Sequence, residues 1–185
     1  MSYKESSNQS GFTLIELIVV ILILSTLAVT ALARFADLEE EADVATNKGM
    51  AGLLSTAIQN ANIQWLVSGS PGRIQNLANF ATGELDMSIN GWPIGVDKGN
   101  ANDNVGRGNV GCTSLWNYLL ETGPISATNG NSDYQSYRHS GSRQCSFVLR
   151  NNGDTANRTN AQLGILYDSN DGNINTCGQL TSISC

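Results

Sequence analysis

Apolar residues run from Phe12 to Ala33 with a single ionisable side chain, Glu16, among those 22 positions. A helix crosses a hydrocarbon core with roughly 20 apolar residues, so the run predicts a membrane-spanning helix. Glu16 lies near its start, where an unpaired carboxylate typically costs a few kcal/mol. After Ala33 the chain turns polar through Arg34, Asp37, Glu39, Glu40, Glu41 and Asp43, yet the helical period persists. Leu38, Ala42, Ala45, Leu54, Ile58, Ala61 and Trp65 fall mostly at steps of three, four or seven, which predicts one apolar stripe as far as Val67. Gly49 and Gly52 weaken the middle of this helix, and Ser68-Gly69-Ser70-Pro71-Gly72 ends it. From Phe12 to Val67 it would measure about 85 Å at 1.5 Å per residue.

The remainder reads as a separate folded region. Residues 71 to 111 are mostly loop, with a short helical turn over Ile74 to Phe80 and a turn at Asn90-Gly91-Trp92-Pro93 that carries Trp92 as a packing anchor. Asp97 to Gly111 reads as a flexible surface loop, with adhesive contact as the functional alternative. Cys112 to Leu120 predicts a short helix whose apolar face is Leu115, Trp116, Leu119 and Leu120, closed by Gly123-Pro124. Tyr134–His139 and Gln144–Arg150 read as a hairpin joined through Gly141, its alternation clearest at Cys145, Phe147 and Leu149. Gln162–Tyr167 and Asn173–Cys177 form a second hairpin around Asp168 to Gly172, and Leu180–Ser184 adds a last extended piece. The expected fold class is α+β: a long N-terminal helix, its second half packed against an antiparallel sheet of about four strands, with a disulfide-stapled C-terminal region.

Composition sharpens this picture. A net charge of -6 and the lack of any basic cluster argue against nucleic-acid binding. Asn, Gly, Ser and Thr dominate after residue 67, which suits a β-rich domain outside the cytoplasm. Cys112, Cys145, Cys177 and Cys185 all lie beyond the apolar run, as two disulfides in an oxidising compartment require, and no C-x-x-C spacing supports a zinc site. Of three possible pairings, Cys177 with Cys185 closes a short loop and leaves Cys112 with Cys145; spacing alone does not fix the choice.

Residues 1 to 11, MSYKESSNQSG, are short, polar and turn-prone, like a removable leader. Ala31-Leu32-Ala33 has the small-x-small form of a secretory cut site, but the apolar run exceeds the usual signal length of 7 to 15 residues. A plain single-span anchor is the third option, and Lys4 before the span against Arg34 after it leaves orientation weakly specified. Gly11-Phe12-Thr13-Leu14-Ile15-Glu16-Leu17 and the aliphatic run that follows resemble the processing and assembly signature of type IV pilins with short leaders. The resemblance implies cleavage between Gly11 and Phe12 by a membrane-embedded prepilin peptidase and N-methylation of the new terminal Phe12. It also implies a partner for Glu16. The methylated amine stays cationic and, like the carboxylate, is costly in an apolar setting, so the amine of a staggered neighbour would meet Glu16 during assembly; breaking a pair of that kind costs about 3 to 5 kcal/mol. The proline that family members commonly carry at the end of the span is replaced here by Ala33-Arg34-Phe35, so a kink there loses its usual cause. More loosely, Cys112, Trp116-Asn117, Cys145-x-Phe147 and Gly91-Trp92-Pro93 are similar to the heads of mannose-sensitive haemagglutinin (MSHA) pilins, which implies a Cys112–Cys145 bridge.

Enzymatic chemistry finds little support, and no cofactor or metal is expected. His139 stands alone among its residue type and reads as a surface or strand-edge side chain. Asp168, Asn170, Asp171 and Gly172 depart from the EF-hand pattern and suit a turn, and Asn157-Arg158-Thr159 matches a glycosylation acceptor tripeptide. The expected organisation is a leader over 1–11, a membrane and fibre-core helix over 12–33, its amphipathic continuation over 34–67 and a head over 68–185. The expected function is that of a structural subunit, a major or minor pilin. It is anchored by one span in the inner membrane with its head in the periplasm, then assembled into an extracellular filament for adhesion or motility. Its expected partners are itself and other pilins, the prepilin peptidase, the inner-membrane assembly platform, the membrane, and glycans on host or other surfaces. A pseudopilin of a type II secretion system is the first alternative. A secreted carbohydrate-binding module whose mature terminus is Arg34 is the second.

Overall fold

The computed structural model describes residues 11–69, 72–99 and 102–185, without the side chains of residues 32, 33 and 35–37. The leader expected over 1–11 therefore lies almost wholly outside the described residues, as do Ser70 and Pro71 of the expected helix stop. The chain divides into two compact units, Met1–Ala42 and Asp43–Cys185. Helix α1, Leu14–Val67, contributes to both. From Leu14 to Val29 its apolar side chains are exposed, and Leu14–Ala31 is long and apolar enough to cross a membrane.

In the second unit α1 presents Asn47, Met50, Ala51, Leu54, Ile58 and Ala61 to the core. Their spacing of three and four keeps them on one face. The expected stripe thus begins later than its apolar residues suggest, because Leu38, Ala42 and Ala45 are exposed. Helix α1 needs no proline to stop: Ser68 donates its backbone N–H to the Gln64 carbonyl and Gly69 to that of Leu66, and Gly69 takes a left-handed φ of 66°.

The region after α1 is more ordered than its polar composition implies. Strands β1, Leu85–Met87, and β2, Pro93–Val96, form a hairpin across the turn containing Asn90 and Gly91. Ile74 bridges to Met87 instead of starting a helical turn, since an amphipathic segment this short gains more from a ladder partner. The expected flexible loop also carries buried Lys98, Asp103 and Val105. The Lys98 ammonium donates to the carbonyls of Asn102 and Asn104, the latter at 2.8 Å, and so orders the segment from within. Burial pushes the Lys98 pKa below the ordinary lysine value, with Asp86 and Asp103 acting against that shift.

Helix α2, Gly108–Leu119, starts four residues ahead of Cys112. A five-stranded sheet follows in sequence order: β3, Ser126–Ala127; β4, Tyr134–Arg138; β5, Gln144–Leu149; β6, Gly164–Asp168; and β7, Ile174–Cys177. The last four are antiparallel, and β3 adds a short parallel edge. This is an α+β, type IV pilin-like fold. Alternation along the strands gives the sheet two covered faces. On one, Tyr134, Phe147 and Ile165 are buried, and Trp116 of α2 places its ring 4.6 Å from those of Tyr134 and Phe147. Asn47 ties α1 to this layer, donating to the Gly164 carbonyl at 2.8 Å and accepting from the Tyr134 hydroxyl at 3.2 Å. On the other, Ser146 and Val148 lie beneath the C-terminal segment, where Ser146 Oγ donates to the Cys185 carbonyl at 3.0 Å. Leu180–Ser184 is no strand. It is a looped cover, held by the Cys177–Cys185 bond and by Gly178 donating to the Ile183 carbonyl. The second bond joins Cys112 of α2 to Cys145 of β5.

Candidate processing and assembly site

Gly11, Phe12 and Thr13 precede the first turn of α1 in irregular, exposed backbone, and Phe12 is 90% exposed. The Gly11–Phe12 bond is thus exposed and outside the helix. Glu16 lies one turn on, also exposed. Its observed partner is Thr13. Thr13 donates its backbone N–H to Glu16 Oε2 at 2.9 Å and its hydroxyl to the same oxygen at 2.8 Å, while the Glu16 N–H donates to Thr13 Oγ1 at 3.3 Å. This is a reciprocal capping box, in which a Thr and a Glu three residues later satisfy donors that the helix start leaves open.

Sequence reading missed Thr13, although T-x-x-E ahead of an apolar run is the signal for such a box. The consequence is positional. One carboxylate oxygen of Glu16 is committed to the cap, and among the described residues Oε1 has no protein donor. In the uncut chain the Phe12 nitrogen is a peptide amide and carries no charge. Further along, Ser25, Thr26 and Thr30 turn their hydroxyls back onto the carbonyls of Leu22, Ile23 and Leu27. A polar side chain on an apolar helix satisfies itself in this way at little cost.

In the head, the remaining candidates serve packing. Cys112, Cys145, Cys177 and Cys185 are all buried and bonded. His139 is half-buried, with Nε2 2.6 Å from Ser146 Oγ; burial, and then the nearby Arg158 guanidinium, hold its pKa below the ordinary histidine value. Asp168 and Asp171 accept from the amides of Asn170 and Asn173, as turn formers do. Asn157 caps the 3-10 turn Arg158–Asn160, and the Thr159 hydroxyl donates to its Oδ1 at 2.7 Å. The half-buried Trp92 lies on Gly172, consistent with a packing anchor. Asp103 gathers three segments: Arg73 Nε donates to it at 2.7 Å, the Ile89 N–H at 3.1 Å, and Arg143 lies 3.6 Å away. The Arg73 hydrogen bond holds the Asp103 carboxyl below the ordinary carboxylate value.

Compared with known proteins, residues 6–32 match the prokaryotic N-terminal methylation motif. No curated protein and no solved structure matches the chain. The motif spans residues 6–11 of the expected leader, the Gly11–Phe12 bond, Glu16 and nearly all of the apolar segment. The match supports a type IV pilin-like or pseudopilin-like protein processed as a prepilin, with a prepilin peptidase and other pilins as the implied partners. Together with the apolar helix it fits membrane anchoring with the head in the periplasm.

Proposed function

We propose that this protein is a structural subunit of a type IV pilus, cut after Gly11, N-methylated on Phe12 and assembled through α1 into a filament. The observation that carries the reading is one of coincidence. The methylation motif over residues 6–32 overlaps the exposed apolar span Leu14–Ala31 and the single acid Glu16, in a helix whose start is fixed by the Thr13–Glu16 box. A helix with its apolar side chains exposed on every face is covered by lipid before assembly and by other copies after it. In that second setting Glu16 Oε1 receives the Phe12 amine of a neighbour. The head, 68–185 in this reading, is presented outward, with adhesion, including to surface glycans, and motility as properties of the filament.

The pseudopilin of a type II secretion system shares every one of these features and is the second reading. The two buried disulfides favour a subunit exposed for long periods outside the cell. The secreted carbohydrate-binding alternative is disfavoured because α1 continues as helix through Ala31-Leu32-Ala33, where a signal peptidase requires extended backbone. The likeness to mannose-sensitive haemagglutinin pilins rests only on spacings in the head and finds no support in the comparisons. Replacing Glu16 with Ala tests the assembly role. The expected result is a processed membrane pool equal to wild type, with sheared filaments nearly abolished; wild-type filament yield in E16A would contradict the role given to Glu16.

A further inference from the structure

We infer that α1 carries a second register-setting charge contact between copies, in which Arg34 of one subunit meets the acidic belt Glu39, Glu40 and Glu41 of the next. The inference rests on the filament reading and adds a partner site to it. Arg34, Glu39, Glu40 and Glu41 are all exposed, and no ion pair among the described residues involves any of them. They flank an exposed apolar helix that only lipid or another copy can cover.

The two charge pairs share one geometry. In each the cation lies N-terminal to the anion on the same helix: the Phe12 amine four residues before Glu16, and Arg34 five to seven residues before the belt. Two parallel copies in register would oppose like charges at both places. Displacing one copy by four residues, about 6 Å along the axis, brings its Phe12 amine level with Glu16 of its neighbour. The same displacement brings its Arg34 level with Leu38 of that neighbour, within three residues of each of Glu39, Glu40 and Glu41. Successive residues on a helix are about 100° apart, so three consecutive acids span about 200° and at least one lies within about 80° of the partner direction at any rotation. Displacement in the opposite sense only exchanges the roles of the two copies. The segment between the pairs is apolar except for Ser25, Thr26 and Thr30, whose hydroxyls bond to their own helix, so it specifies no axial position by itself and charges at its two ends select the stagger.

The test uses the full chain in cells that assemble it, with sheared filaments and the processed membrane pool measured side by side. R34E is expected to leave the processed pool at the wild-type level and to lower filament yield by about fivefold at low salt, the range set by exposed ion pairs. Inverting the belt in the same chain, R34E with E39R, E40R and E41R, is expected to restore yield to within about twofold of wild type. The paired variant R34C/E40C is expected to give a ladder of covalent multimers on mild oxidation of filaments. Abundant wild-type filaments with R34E yield unchanged, or with no rescue by the inverted belt, would overturn the inference and leave the filament reading intact. Loss of R34E from the membrane pool would assign Arg34 to lipid head-groups and also overturn it. Absence of filaments from the unmodified chain would overturn the underlying reading and the inference together.

Discussion

Glu16 is the one acid in an otherwise apolar span, and its chemistry is divided between two tasks. One oxygen closes the helix start through Thr13, and the other is the one we propose receives the amine of processed Phe12. Thr13→Val retains the shape and loses the hydroxyl, so the box opens; helix-start stability is expected to fall by about 1 kcal/mol, read as faster amide exchange over the first turn in detergent micelles. In the head, Gly172 holds a φ of 75° and its missing Cβ would lie 2.3 Å from the Trp92 ring. Gly172→Ala is therefore expected to cost about 2 kcal/mol or more, seen as a lower denaturant midpoint followed by tryptophan fluorescence. Asp103 supplies the pH dependence. Its carboxyl titrates below the ordinary value because Arg73 binds the charged form, so its stabilisation is present above the unfolded pKa of about 3.9 and lost as pH falls through the lower folded value. Asp103→Asn is expected to cost about 1 kcal/mol at neutral pH, with the gap to wild type narrowing below about pH 4 in denaturant titrations.

At the scale of elements, the sequence was most legible where a period ran long. The apolar run and the stripe through Leu54, Ile58 and Ala61 mark α1, and the alternation of Cys145, Phe147 and Leu149 marks β5. It was least legible where tertiary partners decide. β1 and β2 are three and four residues long, too short for a pattern, and exist because Ile74 and the Asn90-Gly91 turn complete them. β3 has two residues and is a strand only beside β4. The loop after Asp97 looked solvated because it is rich in Asn and Gly, yet Lys98 donates to its carbonyls from within, and a lysine in that role has no sequence signal. Of the candidate site, Glu16 was legible as the one acid of the apolar span, while its box with Thr13 is a local T-x-x-E pattern that the surrounding apolar motif obscures. The two disulfides differ as elements of stability. Cys112–Cys145 spans a separation of 33 residues and Cys177–Cys185 one of 8. Loop-closure entropy makes the first worth about 1 kcal/mol more, so C112S/C145S is expected to lower the unfolding midpoint further than C177S/C185S.

At the scale of the whole molecule, the chain has two units with different solvents. The unit up to Ala42 exposes apolar side chains that are stable only in lipid or among copies of itself, while the unit from Asp43 has its own core and two covalent ties. A chain of that kind needs an event that commits it from one environment to the other, and the proposed cleavage after Gly11 would create the cation that Glu16 lacks. Everything proposed about assembly, including the contact at Arg34, depends on that cut. The most direct measurement is therefore the intact mass and amino-terminal sequence of the mature protein purified from its cells. The expected result is a chain that begins at Phe12, heavier by one methyl group than the unmodified sequence from that residue. A chain that retains Met1, or one that begins at Arg34, would contradict it.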